Sequence, residues 1–567
     1  MASPTKPIVV EKISTFRRSQ VPLEVCTLPE IPQKRKSTDA AFLVSFGICV
    51  VVLLSLMIYA LCNSNMDRFI HGYDKCGNVC GSKNEKVDDI YCSGQDMSNK
   101  PFLTYERTMI YDSYYGLYEY VYTPNICVDK CNSSYETRFH RCFPEGGDIE
   151  FFPDMVDAVQ KESDSLAGLC LIGLGLSIVA LLLFRYFVKQ FVWTMLIGII
   201  LLWFAITGGI WYLYSDATGE ASSSLLYVGI IFTIVGIVFA LCILVLIARI
   251  KLVIFFFEEA ARIVFAMPLL LLEPALTFLS NFLVMAIFVY TFLLMATSGS
   301  LQKDPLNYDR YEYILNGATI FVLCWSVIMM IWTLLFNLAC QQMVISGAVA
   351  TYYFARDKVI VVSPIYNSFY NLIRYHLGTV AFGSLLITII TVLKTIIRGL
   401  ASQNGCLRLL YICFKPLEDL LKYMTSMGYI ETAIHGQPLC RSSIRAINLI
   451  ISNLLSAIAM NSIGNFVFFM AKLVVVVITV VIGILMNLSV VTIVFGGLVA
   501  WICVHSFFVV FEIAVDTIFL CYCEDQCLND GNVNAYYTTI ELHNQIKKAQ
   551  ALTLALENAK QKKKAKK

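Results

Sequence analysis

The chain has little charge: Asp, Glu, Lys and Arg together make up only 15% of its 567 residues. A typical soluble domain is about a quarter charged and roughly half apolar. Here 57% of the residues are hydrophobic, and the mean hydropathy is +0.68. The shortage of charge therefore excludes an ordinary soluble globular protein.

The sequence also lacks the motifs of nucleotide hydrolysis and of hydrolytic catalysis. It contains no Gly-x-x-x-x-Gly-Lys phosphate loop and no His-Glu-x-x-His zinc motif. Residues 382–385 read Phe-Gly-Ser-Leu, which lacks the second glycine of a nucleophile elbow. His376 and His435 lie on different segments without a partner at fixed spacing. We therefore expect no enzyme, no cofactor or metal, and no direct coupling to ATP.

Long apolar runs recur along the chain, each close to the ~20 residues that cross a bilayer as helix. Nine are clear, at residues 40–62, 166–184, 191–214, 225–248, 267–295, 318–340, 376–397, 466–486 and 488–514. A tenth crossing is expected within residues 399–465, at 446–463 by preference or else at 407–421. Either stretch is also compatible with an amphipathic helix on the membrane surface. The predicted fold is all-α, a polytopic membrane protein of about ten transmembrane helices with a disulfide-braced extracellular loop.

The charges beside these runs predict how the chain is oriented and divided. Residues 1–39 carry seven basic and four acidic side chains, whereas residues 63–165 carry ten basic and eighteen acidic ones. Because cytoplasmic loops are enriched in Lys and Arg, both termini are expected inside. A charged start of this length is unlike a cleavable signal peptide. The predicted divisions are a cytoplasmic tail (1–39), the first transmembrane helix (40–62), an extracellular Cys-rich loop (63–165), a transmembrane transport core (166–514) and a cytoplasmic C-terminal tail (515–567).

The Cys-rich loop predicts its own compartment. Six cysteines allow three disulfides in fifteen possible pairings: Cys76, Cys80, Cys92, Cys127, Cys131 and Cys142. Zinc is the alternative for the two tandem Cys-x-x-x-Cys pairs, but it requires reduced thiolates. Disulfides are favoured because the loop is expected to face an oxidising compartment. Asn132 begins a glycosylation sequon, and the many tyrosines indicate some β pairing. The loop is either a cap over an entrance or an inert stabilising ectodomain.

Polar and aromatic residues inside the spans are the candidates for substrate contact. Glu273 precedes Pro274 within an apolar run, and a carboxylate at that depth is costly to bury. It either faces a cation or proton path, or lies near the span end and reaches the interface. Trp325 and Trp332 are seven residues apart and share one helix face. Such a face binds quaternary ammonium groups through cation–π attraction, although helix packing or lipid contact is the commoner role of a single tryptophan.

Four blocks, in order along most of the chain, resemble the choline transporter-like protein family. Residues 72–81 read Gly-Tyr-Asp-Lys-Cys-Gly-Asn-Val-Cys-Gly, and residues 347–353 read Gly-Ala-Val-Ala-Thr-Tyr-Tyr. Residues 374–385 begin Arg-Tyr-His-Leu-Gly-Thr, and residues 515–525 end Cys-Tyr-Cys-Glu-Asp. The motif residues singled out in these blocks are Arg374, Gly378, Asp516 and Asp525.

The resemblance implies a facilitative carrier of choline and related organic cations such as ethanolamine that needs neither sodium nor ATP and works by proton exchange in some cases. It also implies ten spans, both termini inside and a glycosylated first loop. The expected partners are a small organic cation and the lipid bilayer, with no nucleic acid, and the expected location is the plasma membrane or else an organelle membrane. The alternative is a non-transporting surface protein or receptor that acts through the Cys-rich loop.

For the carrier, six side chains are predicted to contact the substrate, because aromatic faces and one carboxylate attract a cation without trapping it. They are Trp325, Trp332, Tyr352, Tyr353, Tyr290 and Glu273. His376 is the candidate for a proton-linked group, because the unperturbed pKa of histidine lies near neutrality. The alternative for His376 is a hydrogen-bonded residue at the start of a helix.

Overall fold

A computed structural model describes residues 35–87, 90–112, 117–132, 135–138, 140–144, 161–216, 220–303, 311–358, 362–401, 405–528 and Tyr537. The chain divides into two compact units. The first unit comprises residues 1–43, 164–278 and 337–567, and the second comprises residues 44–163 and 279–336. The N-terminal tail of residues 1–34, the sequon hydroxyl residue Ser134 and most of the C-terminal tail lie outside the described residues.

Helices dominate the described chain, as predicted. In chain order they are α1 (Ala40–Asn63), α2 (Met66–Ile70), α3 (Ser163–Asp216), α4 (Glu220–Ala266), α5 (Glu273–Ala296), α6 (Gly317–Tyr353), α7 (Pro364–Asn371), α8 (Leu377–Ala401), α9 (Gly405–His435), α10 (Leu439–Ser452), α11 (Leu454–Leu485) and α12 (Val490–Leu528). A short 3₁₀ helix, Pro268–Leu272, precedes α5, and a π-helical turn, Leu372–His376, precedes α8.

Eight helical segments of the described chain are long and apolar enough to cross a membrane. They are Ala40–Tyr59, Ser163–Ser215, Ser222–Leu241, Pro268–Ala296, Gly317–Tyr353, Pro364–Ala401, Met460–Leu485 and Val490–Cys527. The second has 53 residues, enough for two crossings at ~20 residues each. Its helix α3 leaves helical geometry at Phe187 (φ −126°, ψ 24°), between the two apolar runs predicted from the sequence. The chain is an integral membrane protein, and each of the nine clear runs overlaps one of these segments.

The preferred position for a tenth crossing is wrong. Residues 446–463 do not form one helix, because α10 ends at Ser452 and Asn453 has non-helical angles (φ −121°, ψ 27°) before α11 begins. The rival stretch, residues 407–421, lies within the single helix α9. Helix α12 also continues past residue 514 to Leu528, so the first part of the predicted C-terminal tail is helical.

Aromatic packing forms the centre of the first unit. Phe184 is fully buried, with its ring centroid 5.3 Å from those of Phe508 and Phe511 and 5.7 Å from that of Phe257. These rings belong to α3, α4 and α12, which are distant in sequence. Edge-on and tilted contacts at such distances are the arrangement aromatic rings prefer, so the cluster holds the three helices together.

In the second unit the predicted β pairing of the Cys-rich loop is a four-stranded sheet ordered β2-β1-β4-β3. Its strands are β1 (Phe102–Asp112), β2 (Leu117–Val128), β3 (Tyr135–Arg138) and β4 (Arg141–Pro144). All six cysteines are paired, as Cys76–Cys92, Cys80–Cys127 and Cys131–Cys142. The disulfide interpretation is therefore confirmed, and the zinc alternative is wrong.

The glycine-rich phrase that opens the loop has a structural role. Asp74 Oδ1 accepts hydrogen bonds from the backbone N–H groups of Cys76 (2.9 Å) and Asn78 (2.8 Å), and Asn78 Nδ2 donates to Asp74 Oδ2 (3.0 Å). Gly72 and Gly77 adopt positive φ (78° and 80°), which a side chain would disfavour. The phrase therefore folds a tight, buried turn.

A hairpin that the sequence did not predict packs on this turn within the same unit. Its strands are β5 (Ser300–Lys303) and β6 (Tyr311–Ile314). The hydroxyl of Tyr313 donates to the carbonyl of Gly77 (2.8 Å), and Arg68 lies 3.8 Å from the centre of the Tyr313 ring. Burial raises the pKa of Tyr313 above its usual value, so this phenol stays a hydrogen-bond donor at neutral pH.

Candidate functional site

The π-helical turn before α8 brings His376 into the interior of the first unit. Turns of this kind occur mostly as single insertions in helices, frequently at functional sites. His376 is 1% exposed, whereas the family-motif residue Arg374, two positions earlier, is exposed and lies 5.8 Å from the Tyr375 ring. The widened turn therefore separates the two motif residues, with the histidine inside and the arginine outside.

The partners of His376 fix the tautomer of its ring. Arg35 Nη1 lies 3.1 Å from His376 Nε2, and Thr38 Oγ1 lies 2.9 Å from His376 Nδ1. A guanidinium has only donors, so Nε2 must accept, and the ring is then neutral with its proton on Nδ1. This arrangement matches the hydrogen-bonded alternative for His376. The proton-linked role stays a prediction.

Both partners of the histidine belong to residues 35–39, which we call the N-terminal segment. Its backbone is held by a bond from the Thr38 N–H to the carbonyl of Tyr375 (2.9 Å). Asp39 Oδ2 accepts from the N–H of Leu439 (2.9 Å), at the start of α10, and from the hydroxyl of Thr379 (2.8 Å). A carboxylate at a helix N-terminus is favourable because free N–H groups point towards it. The segment is thus tied to α8 and α10.

Gly378 permits this close approach. A Cβ atom at that position would lie 2.4 Å from the backbone oxygens of both Thr38 and Asp39. Backbone atoms cannot rotate away as the end of a side chain can, so any larger residue must push the N-terminal segment off α8. This close contact explains why the family-motif position 378 is a glycine.

Beside His376 lies a small cavity of about 20 Å³. Its walls come from the N-terminal segment, α6, the α7–α8 region and α9, and they consist of Arg35, Met343, Gly347, Thr351, Ser368, Asn371, Leu372, His376 and Ala433. Gly347 belongs to a second family block. Two blocks that are well separated in sequence therefore meet at one cavity, with no carboxylate among its wall residues.

The tyrosines of the Gly347 block take other partners. The Tyr353 side chain is buried, and its hydroxyl lies 3.4 Å from Asp525 Oδ2, which also accepts from the N–H of Tyr537 (2.9 Å). Lys358 Nζ lies 5.0 Å from the centre of the Tyr352 ring. Asp525 therefore links α6 to α12, a packing contact. The predicted substrate contacts of both tyrosines stay predictions.

The other predicted aromatic contacts lie in the second unit. Trp332 is buried, with the Phe46 ring edge-on at 4.9 Å. Trp325 stacks on Phe321 at 6.5 Å, and its buried Nε1 has no hydrogen-bond partner in the described chain. Tyr290 is 48% exposed. Their roles in substrate binding also stay predictions.

Glu273 begins α5 and is partly buried in the first unit. Its Oε1 accepts from Thr277 (3.3 Å), and its buried Oε2 has no hydrogen-bond partner among the described residues. A carboxylate in the first turn of a helix is stabilised by the helix dipole, and this gives Glu273 a structural role.

The family-motif residue Asp516 lies in α12 and is partly buried.

Sequence reasoning missed a cluster of buried charges, which we call the charge cluster: Glu431, His435, Arg445 and Glu524. Arg445 Nε lies 2.6 Å from Glu431 Oε1 and Arg445 Nη2 lies 2.8 Å from Glu524 Oε1, while His435 Nε2 is 3.1 Å from Glu524 Oε1. Glu431 and His435 are one helical turn apart, a spacing that places both on one face of α9. That spacing was the available signal, but no sequence pattern predicts Arg445 and Glu524 beside these two residues.

Sequence reasoning also overlooked a second buried charged group, which is centred on Lys472. Lys472 of α11 reaches Glu512 Oε1 (2.5 Å) and His505 Nδ1 (3.1 Å) on α12. Because unpaired charges are costly at membrane depth, these contacts account for Lys472 in the otherwise uncharged helix α11 and for its partner Glu512. Neither group includes any of the residues predicted to bind substrate.

Comparison with known proteins places these features in a family. The family model described as plasma-membrane choline transporter matches residues 230–527, just over half of the chain. Choline transporter-like protein 1 of Torpedo marmorata is 29% identical, over 89% of this chain and 91% of the relative. Choline transporter-like protein 3 of Homo sapiens is 28% identical, over 89% and 90%. Choline transporter-like protein 2 of Dictyostelium discoideum is 24% identical, over 91% and 95%.

Proposed function

Because the chain belongs to the plasma-membrane choline transporter family, we propose that it carries choline and related organic cations such as ethanolamine across a membrane. The family match is the observation that carries this proposal. Relatives named as choline transporter-like proteins align with about nine-tenths of the chain. The helical architecture supports a transporter, since eight described segments are able to span a bilayer.

The proposed mechanism is facilitative transport that needs neither sodium nor ATP. Proton exchange is the proposed form of coupling. Choline offers a fixed charge, three methyl groups and one hydroxyl for recognition. Aromatic faces attract the charge through the ring quadrupole, and a hydrogen-bond acceptor recognises the hydroxyl. We propose that the predicted aromatic side chains and the Glu273 carboxylate attract the charge of the substrate, and that His376 is the group linked to proton exchange.

The test is uptake of radiolabelled choline into proteoliposomes that contain the purified chain. We expect saturable uptake that ethanolamine reduces and that persists when sodium is replaced by potassium. The same vesicles test proton exchange when an outward proton gradient is imposed. If choline uptake is coupled to protons, we expect the initial rate of choline uptake to change. Uptake that rises linearly with choline concentration, or that matches protein-free vesicles, contradicts the proposal and favours a surface protein acting through the Cys-rich loop.

We also propose that the Cys-rich loop is extracellular and glycosylated, with both termini cytoplasmic, at the plasma membrane. Asn132 is exposed and lies next to the Cys131–Cys142 bridge. We expect enzymatic removal of N-glycans to increase the electrophoretic mobility of the wild-type protein. Asn132→Gln should migrate like the deglycosylated wild type even before the enzyme is added. A glycan shift that persists in Asn132→Gln, or none in wild type expressed in animal cells, would contradict this placement. Asn84→Gln, outside any sequon, is the control.

A further inference from the structure

The side chain of Arg35 is the cation nearest to His376, and its surroundings are unusual for an arginine. Arg35 Nη2 donates to the carbonyl of Ala433 (2.9 Å) and lies 3.4 Å from that of Ile434, while Nη1 donates to His376 Nε2. Within the described chain no carboxylate lies within ion-pair distance of this guanidinium. Burial lowers the pKa of Arg35 below its usual value. Among the described residues, neutral acceptors hold this half-buried positive charge.

These acceptors form a site suited to a general organic cation. Ala433 and Ile434 lie in the last turn of α9, where unsatisfied carbonyls give the helix a partial negative charge that favours cations. The other walls of the cavity are uncharged and include the apolar side chains of Met343 and Leu372. Carbonyl oxygens, one neutral imidazole and apolar walls suit an ammonium group better than a metal ion, which requires charged or closely packed ligands.

Arg35 is one of the residues that line this cavity. The cavity measures about 20 Å³, which is room for about one water molecule at roughly 10–15 Å³ each. A choline-sized cation therefore cannot enter while Arg35 is in place. Thr38, Asp39 and Gly378 hold the N-terminal segment so that Arg35 points into the cavity.

We propose that the Arg35 guanidinium occupies a binding site for an organic ammonium ion, and that the N-terminal segment must withdraw before that ion binds. The site consists of His376 Nε2, the carbonyl end of α9 and the cavity wall at Met343 and Gly347. The ammonium lies at the carbonyls of Ala433 and Ile434, and a hydroxyl on the ligand donates to His376 Nε2. This inference rests on the proposed function for the identity of the cation.

The test measures equilibrium binding of radiolabelled choline to the purified full-length protein. We expect Arg35→Ala to bind choline about five- to tenfold more tightly than wild type, because the Arg35 guanidinium no longer competes with choline for the site. Methylguanidinium should compete with choline on Arg35→Ala and bind far less to wild type. Lys36→Ala removes an exposed neighbouring cation and is the matched control, with no expected change. Gly378→Ala, which displaces the segment but keeps Arg35, should also tighten binding.

The outcomes separate this inference from the proposed function. If wild-type vesicles transport choline but Arg35→Ala and Gly378→Ala bind it no better than wild type while melting as folded proteins, the inference is overturned and the transport proposal stands. Failure of methylguanidinium to bind Arg35→Ala overturns it as well. If wild type shows no choline uptake, yet methylguanidinium binds Arg35→Ala and not wild type, the cation site is supported and only the choline proposal fails.

Discussion

Replacing Arg445 with leucine is expected to destabilise the first unit by about 3–5 kcal/mol, the usual cost of removing one partner from a buried ion pair. Glu431 and Glu524 are 0% and 1% exposed, and both carboxylates face Arg445. Burial and the neighbouring Glu524 raise the pKa of Glu431 well above its usual value, so this pair depends on the guanidinium. Without it, two buried carboxyl groups would face each other, with His435 as the basic side chain left beside them among the described residues. The measurement is the thermal unfolding midpoint of the detergent-solubilised protein.

Two variants make this test specific. Arg441→Leu removes an exposed arginine from the same helix, α10, and should change stability by no more than about 0.5 kcal/mol. The triple variant Arg445→Leu, Glu431→Gln, Glu524→Gln should recover much of the loss, because it removes the charges that the arginine balanced. If Arg445→Leu and Arg441→Leu have the same thermal unfolding midpoint, Arg445 is not the electrostatic centre of the charge cluster.

Replacing Gly378 with alanine is expected to release the N-terminal segment from α8. The new methyl group would lie 2.4 Å from two backbone oxygens of that segment. The segment would then lose the hydrogen bonds that Thr38 and Arg35 make and those that Asp39 accepts, each worth about 1 kcal/mol net. The readout is limited trypsin digestion: cleavage after Lys36 should be at least about tenfold faster in the variant, since a protease needs an extended, detached chain.

Gly399, near the end of the same helix, provides the matched control. A Cβ atom there meets nothing within 4 Å, so Gly399→Ala should leave the cleavage rate unchanged. Alanine in place of glycine within a helix stabilises by up to ~1 kcal/mol, so this variant should melt no lower than wild type. Equal cleavage of Gly378→Ala, Gly399→Ala and wild type would show that the segment does not depend on the glycine.

Hydropathy and cysteine chemistry were enough to predict most of the fold. The nine apolar runs correspond to helices because the bilayer imposes both length and composition on a spanning segment. The six loop cysteines were predicted to be paired, but their pairing required the sheet that brings Cys80 next to Cys127. The preferred tenth crossing was wrong because helix α10 is amphipathic and ends at Ser452. Asn453, which follows it, is a local break without a Pro or Gly signal.

The cavity beside His376 was not predictable from the sequence, because its parts come from four separate regions. The family blocks at Gly347 and His376 could be found by resemblance, but the residues that contact His376 are Arg35 and Thr38, more than 300 positions away. Aromatic residues were favoured as cation ligands on general grounds. Arg35 is instead held by the backbone carbonyls of Ala433 and Ile434 at the end of α9. No sequence pattern marks such carbonyls as cation ligands.

The most direct test of the central claim, that the chain is a carrier of choline, is counterflow in proteoliposomes. Vesicles loaded with unlabelled choline are diluted into a trace of labelled choline, and the label inside is followed with time. A carrier predicts transient accumulation of label above its outside concentration, larger with choline inside than with potassium alone. Label that only equilibrates, at a rate independent of internal choline, would contradict the account.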